Sequence, residues 1–141
     1  MSIAEELTGQ KRPTSTIDEK GKERLRTLTV ELLLDLRTAY LRSPGANALK
    51  VREILPNRAE AALRTCRSPE EWATRVASNL GIRAWDSSAS RALLELVDHV
   101  ASNDARHVWR EMFQREASYW FALVWITAEE RRAAKDAAKE A

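Results

Sequence analysis

The chain has 141 residues, 44% hydrophobic and 31% charged, a length and balance that suit one domain with a buried core and a charged surface. Four glycines and four prolines supply little turn chemistry, which argues against a many-stranded fold, and a single cysteine excludes an internal disulfide. The net charge is only +2, but residues 37–91 carry ten bases and five acids, a local excess of +5.

Neither a targeting segment nor a membrane span is predicted. The first residues, MSIAEELTGQK, include acids and lack the apolar stretch of a signal peptide. The longest apolar run, Tyr119–Ile126, has eight residues, far fewer than a bilayer requires. We therefore expect a cytoplasmic protein with no membrane partner.

The first predicted helix begins after a flexible arm over residues 1–15. Thr16 and Glu19 have the spacing of a capping box, in which two side chains satisfy free backbone N–H groups. The second half of this helix is apolar nearly all round, with Leu34 and Leu41 on the side opposite the main leucine stripe. Such a helix is central to a bundle or contacts a second molecule, and Leu34 and Leu41 are candidate interface residues.

The next two predicted helices differ in how clearly the sequence marks their ends. The second spans about residues 47–66, and Pro56 predicts a kink or a division into two short helices. The third begins with a cap at Ser68 and a proline at its first position, Pro69. Gly81 predicts a left-handed residue that ends this third helix.

Two further helices complete the prediction. The fourth runs from Asp86 or Ser87 to about Ala101, and the fifth from about Ala105 towards the C-terminus. No repeat or strand-like alternation is present. We predict an all-α bundle of about five helices over residues 16–127, followed by a charged, alanine-rich helical tail over 128–141 that projects or frays. The core side of the fourth helix is expected to hold Leu93, Leu94, Val97 and Val100.

The fifth helix holds six of the nine aromatic residues, all between Val108 and Ile126. At 100° per residue, Trp109, Phe113 and Trp120 share one arc and are predicted core. Glu116 falls inside the same arc, so its carboxylate would need an arginine or hydrogen-bond partner.

Two of the aromatic side chains, Phe121 and Trp125, fall off that arc. One interpretation is that the fifth helix is central and the other helices cover it on all sides. The other is that Phe121 and Trp125 contact another subunit, because large aromatic side chains are frequent anchors of protein interfaces. Both interpretations stay open at this stage, and Phe121 and Trp125 join Leu34 and Leu41 as candidate interface residues.

The sequence offers no catalytic, metal-binding or cofactor-binding motif. Phosphate-binding glycine loops, zinc-protease motifs and cysteine pairs are missing. Cys66, His99 and His107 could form a site only if the fold brought them together, and nothing in their spacing predicts this. We therefore expect no enzyme activity, no metal and no cofactor.

The basic middle of the chain is the better indication of function. Clusters of arginine and lysine bind nucleic-acid phosphates, with a strength that falls steeply as salt is added. The alternative is a solvated face of an amphipathic bundle, and the bases do not fall on one narrow arc of a straight helix. The candidate nucleic-acid-binding residues are Arg42, Lys50, Arg52, Arg58, Arg64, Arg67 and Arg75.

Part of this segment resembles the small helical subunits of multi-subunit CRISPR RNA-guided effector complexes. The residues concerned are TAYLR at Thr38–Arg42, which end one helix, and ALKVREILPNRAEAAL at Ala48–Leu63, a helix interrupted at Leu-Pro. The resemblance implies a subunit without an active site that stacks with other copies of itself and binds larger effector subunits. It also implies contacts to the backbone of RNA or single-stranded DNA, while guide pairing reads the sequence.

Two hypotheses follow. In the first, the chain is a non-catalytic subunit of an RNA-guided ribonucleoprotein, which binds nucleic acid through a basic face. In the second, it is a helical protein-interaction or regulatory module without nucleic-acid binding, as the nearly balanced total charge would favour.

Overall fold

The computed structural model describes residues 17–83 and 85–140, which form five α-helices without any strand. The predicted all-α class and helix number are confirmed. The predicted arm over residues 1–15 and the predicted cap at Thr16 lie outside this part of the chain. The helices are α1 (Glu19–Leu41), α2 (Val51–Thr65), α3 (Pro69–Asn79), α4 (Arg91–Ser102) and α5 (Arg106–Glu140), with short 3₁₀ turns at Ala48–Lys50 and Ser87–Ala89.

Two helix starts illustrate how local side chains set the boundaries. At α1 the cap is Asp18, whose carboxylate accepts a hydrogen bond from the N–H of Gly21, so the helix begins three residues later than the expected start at Thr16. At α3 the hydroxyl of Ser68 accepts from the N–H of Glu71 and Pro69 occupies the first position, as predicted.

Helix α2 passes through Pro56 without a break. The prediction at Pro56 was a kink or a division into two short helices, and the division does not occur, because α2 is one helix of 15 residues with Pro56 inside it. Proline removes one backbone donor and crowds the preceding turn, but packing can hold such a helix together. Here Val51, Leu55 and Ala59 are all buried on the core side of α2.

The ends of α3 and α4 use the same backbone motif with different residues. Gly81 has a φ of +74°, and the N–H of Ile82 donates to the carbonyl of Ala77 at 3.0 Å, which is the stop that the sequence predicted. Asp104 takes the equivalent left-handed position after α4, with a φ of +47°. Because Asp104 is not a glycine, its left-handed geometry was not evident from the sequence.

The core forms where α1 packs against α4 and α5, and where α2 and α3 complete the bundle. Trp109, Phe113 and Trp120 of α5 are fully buried, as predicted, and Trp72 of α3 meets Trp109 and Phe113 edge to face. Buried indole N–H groups need acceptors. Trp72 donates to the carbonyl of Ala59 at 2.9 Å, while Trp109 donates to the buried hydroxyl of Thr29 at 3.1 Å.

The remaining part of α5 leaves the bundle. The helix crosses the expected boundary at residues 127 and 128 without interruption and stays helical to Glu140. Residues 129–140 are all exposed. The start of this segment nevertheless touches the bundle, because Arg131 pairs with Glu31 of α1 and Glu129 pairs with Arg52 of α2.

Candidate nucleic-acid interface

All seven bases predicted to bind nucleic acid are exposed, but the fold does not gather them on one face. Arg52, Arg58 and Arg64 follow one another at six-residue intervals along α2, and each step turns by about 240° around the helix axis. The three side chains therefore point to different sides of α2. Arg52 alone lies beside α5, where its guanidinium is 3.4 Å from the carboxylate of Glu129.

A cationic groove lies where the C-terminal half of α1, the start of α2 and the outer part of α5 meet. The groove encloses a cavity of about 320 Å³. Trp125, Ala128, Arg132 and Lys135 line it from α5 at spacings of three and four residues, which places them on one side of that helix. The five cations of the groove are Arg37, Arg52, Arg131, Arg132 and Lys135.

Carboxylates neutralise only part of this charge. Glu129 is shared by Arg52 and Arg132, each at 3.4 Å, and Glu31 pairs with Arg131. These pairs are exposed to solvent, where an ion pair contributes at most about 1 kcal/mol and breaks readily. Among the described residues, five cations and one carboxylate, Glu129, line the groove, and Glu31 and Asp35 lie close enough to Arg131 to oppose its charge. Phosphate groups of a nucleic-acid strand are suited to such a surface.

The floor of the groove includes Trp125, which is half-buried. Its ring stacks on that of Phe121 with an angle of 24° between the planes, and the guanidinium of Arg52 lies 5.6 Å from the Trp125 ring centroid. A cation over an indole face is attracted by the ring quadrupole. Trp125 therefore holds Arg52 at the edge of the groove.

The structure corrects the predicted subunit interface. Phe121 is only 4% exposed and Leu34 only 6%, so the chain's own core covers both side chains and neither can reach another molecule. Leu41 and Trp125 are half-buried and pack against the same core. The sequence argument failed because α5 is covered on more than one side, so residues off the main aromatic arc are buried as well.

Four other large apolar side chains are exposed in the described part of the chain, and the most exposed is Leu49, at 97%, in the 3₁₀ turn before α2. Tyr119 and Ile126 of α5 are 55% and 53% exposed, and Leu94 of α4, which was predicted to be core, is 53% exposed. Tyr119 and Ile126 are two helical turns apart and share one side of α5. This side, rather than Phe121, is the surface of α5 that a protein partner could cover.

A second crevice, of about 560 Å³, lies between the end of α1 and the 3₁₀ turn before α4. The carboxylate of Asp35 accepts a hydrogen bond there from the hydroxyl of Ser90 at 3.1 Å. Partial loss of water raises the pKa of Asp35, while the Ser90 hydrogen bond opposes this shift. Arg42, one of the predicted bases, lies in this crevice and not in the cationic groove.

The residues considered for chemistry lie apart. Cys66 is buried, His99 donates from Nε2 to the carbonyl of Gly21 at 3.0 Å, and His107 lies 3.7 Å from Glu111. Over residues 17–83 and 85–140, no three His, Cys, Asp or Glu side chains converge as metal ligands would.

In the same part of the chain, no helix combines the length and apolar character that crossing a bilayer requires.

Comparison with known proteins adds no relative. No protein family, curated protein or solved structure matches this chain.

Most of the groove was not predicted. Of the candidate bases, Arg52 alone lines it; Arg37, Arg131, Arg132 and Lys135 were not singled out. Averaging charge over residues 92–141, which carry a net −2, concealed the three bases on α5. The helical spacing of Arg131, Arg132 and Lys135 beyond Trp125 was the available signal.

Proposed function

We propose that this chain is a non-catalytic helical subunit of an RNA-guided ribonucleoprotein, of the kind represented by the small subunits of CRISPR effector complexes. It binds the sugar-phosphate backbone of a single strand of RNA or DNA through the cationic groove. Larger effector subunits and other copies of the chain are its protein partners. The proposal rests on the likeness of Thr38–Arg42 and Ala48–Leu63 to that family and on the charge of the groove.

One observation carries the nucleic-acid part of the proposal. Three helices that are distant in sequence place five cations around one groove, and Glu129 is the one acid among the described residues that line it. A solvated helix face would be expected to intersperse charges of both signs. The outer part of α5 projects beside the groove, so a nucleic-acid strand can lie along several residues of this helix.

The experiment compares two double charge reversals that change the total charge equally. Arg132→Glu with Lys135→Glu alters the groove, whereas Arg58→Glu with Arg64→Glu alters α2 away from it. Binding of fluorescein-labelled single-stranded RNA and DNA is followed by anisotropy at several salt concentrations. For the wild type, the logarithm of affinity should fall linearly with the logarithm of salt, by about 0.7 per phosphate contact.

The groove reversal should weaken binding by about tenfold or more, equally for all sequences, because backbone contacts carry no sequence information. The α2 reversal should weaken it less. Equal losses from the two double variants would mean that total charge alone matters, and the groove would no longer be the interface. A wild-type chain that binds neither strand at low salt would contradict the proposal as a whole.

The second candidate function is a protein-interaction module without nucleic-acid binding. The observation that favours it is the exposed apolar side of α5 at Tyr119 and Ile126. Under this alternative, Ile126→Asp abolishes a protein complex, and the groove reversal has no effect on it. The groove reversal and Ile126→Asp together therefore separate the two candidate functions.

A further inference from the structure

Arg37 at the inner end of the cationic groove has a buried donor without an acceptor. Its Nε atom is inaccessible to solvent and has no hydrogen-bond partner. No carboxylate of the part of the chain that the structure describes pairs with this guanidinium, although Arg131 and Arg52 nearby are both paired. A buried donor left unpaired costs free energy, and the cost is larger for a charged group. The position therefore favours an acceptor that comes from outside the chain.

The surroundings of Arg37 indicate the charge of that acceptor. Arg37 comes from α1, Arg52 from α2, and Arg131, Arg132 and Lys135 from α5, so five cations line one cavity from three helices. Glu129 is the only acid among the described residues that line it, and Arg52 and Arg132 already share it. An anion entering this cavity would meet donors from several directions.

The donors of the site suit a phosphate. The two charged oxygens of a backbone phosphate can each accept from more than one donor. Arginine binds phosphate through a planar fork of N–H groups, with geometry that lysine lacks. A volume of about 320 Å³ accommodates a phosphate together with part of an attached nucleoside.

We infer that the cavity at the inner end of the groove is a phosphate-binding pocket, in which the Arg37 guanidinium turns towards the cavity and donates its Nε–H to one backbone phosphate of the bound strand. Arg52 and Arg132 contact the same phosphate from α2 and α5, and they release Glu129 when they do so. This inference rests on the proposed function, because it takes the phosphate from a nucleic-acid strand. It gives Arg37 a distinct role among these cations, since its Nε–H has no acceptor in the described part of the chain, whereas Arg52 and Arg132 are already paired with Glu129.

The direct test observes Arg37 in the wild-type chain. In nitrogen-15-labelled protein, the Nε–Hε signal of Arg37 is followed by NMR during a titration with single-stranded DNA or with inorganic phosphate. A titration with sodium chloride at the same ionic strength is the control. The Arg37→Lys variant identifies the signal. We expect the Arg37 signal to shift in a saturable manner with both ligands, and the signal of the exposed Arg24 on the same helix to stay unchanged.

Affinity measurements complement the spectra. Arg37→Lys keeps the charge and loses the fork, so it should weaken strand binding about tenfold with little change in the salt dependence. Arg37→Met should weaken binding further and reduce the salt slope by about 0.7. Arg24→Lys and Arg24→Met are matched controls, because Arg24 lies on α1 and pairs with Glu95 outside the groove.

The outcomes separate this inference from the proposed function. If strands bind but the Arg37 signal does not move, and Arg37→Lys binds as tightly as Arg24→Lys, then the phosphate pocket is refuted and the proposed function stands. If no strand binds but inorganic phosphate shifts the Arg37 signal with saturation, the pocket stands and the proposed function fails. If neither ligand acts on Arg37 and no strand binds, both are refuted.

Discussion

Replacement of Glu116 should reveal how one half-buried carboxylate supports the centre of the bundle. Its Oε1 atom accepts from Nε of Arg26 at 2.9 Å and from the indole N–H of Trp120 at 3.0 Å. The side chains of Arg26 and Glu116 are 18% and 22% exposed, and Trp120 is fully buried. Glu116→Ala leaves a buried N–H and a largely covered guanidinium without this acceptor, which should cost about 2–4 kcal/mol of unfolding free energy.

Glu116→Gln keeps an oxygen acceptor for both donors and removes only the charge, so it should cost about 1 kcal/mol. The hydrogen bond from Arg26 lowers the pKa of Glu116 in the folded chain. A carboxylate whose pKa is lower in the folded chain than in the unfolded chain stabilises the fold fully at pH values above its unfolded pKa, about 4.3. This stabilisation is lost as the pH falls through the pKa of the folded chain. The difference between wild type and Glu116→Gln should therefore be largest near neutral pH and shrink in acid.

Urea unfolding followed by far-ultraviolet circular dichroism, at pH 7 and at several lower values, measures these differences. Glu111→Ala is the matched control, because Glu111 lies on the same helix, is 61% exposed, and pairs among the described residues only with His107, at 3.7 Å. It should change stability by less than about 0.5 kcal/mol. Equal costs for Glu116→Ala and Glu111→Ala, or a Gln variant whose deficit grows in acid, would refute this account of the Arg26–Glu116–Trp120 network.

Three further variants test other parts of the structure. Asp104→Gly should raise the unfolding free energy by about 0.5 kcal/mol, because glycine adopts a positive φ without strain, and Asp104→Val should lower it in the same urea assay. Ser90→Ala removes the cap of α4 and should lower the unfolding free energy by about 1–2 kcal/mol. The same variant should raise the pKa of Asp35, measured by NMR, because the Ser90 hydroxyl lowers that pKa by its hydrogen bond. An unchanged Asp35 titration would contradict the contact. Ile126→Asp should reduce any self-association seen by light scattering. Because Ile126 is exposed, the thermal unfolding midpoint should stay nearly unchanged. A large loss of stability would show that Ile126 is covered within the monomer.

The sequence predicted those parts of the fold that local chemistry decides. The cap at Ser68, the stop at Gly81 and the arc of Trp109, Phe113 and Trp120 each depend on residues within a few positions of one another. The need of Glu116 for a partner was also predictable from its helix face. The identity of that partner, Arg26, was not, because 90 residues separate the two in sequence.

The errors arose where tertiary packing overrides a local rule. Pro56 was expected to kink or divide α2, and the division does not occur, since one buried side of that helix continues past the proline from Val51 to Ala59. Phe121 was assigned to an interface because it falls off the main arc of α5, yet contacts with Phe113 and Trp125 bury its ring. Position on a helical wheel gives a direction, and it does not say how many neighbouring helices surround that direction.

The cationic groove shows why charge counted along the chain is a poor guide to charge in space. The basic segment over residues 37–91 contributes Arg37 and Arg52 to the groove, and the acidic segment that follows contributes the other three cations. The exposed bases Arg58 and Arg64 belong to the most basic segment and still point away. Because α1 and α2 lie against the outer part of α5, a net −2 segment supplies most of a positive site. The variants that test the proposed function therefore lie at Arg37, Arg132 and Lys135, whereas Arg58 and Arg64, the bases that the sequence alone would select on α2, lie outside the groove.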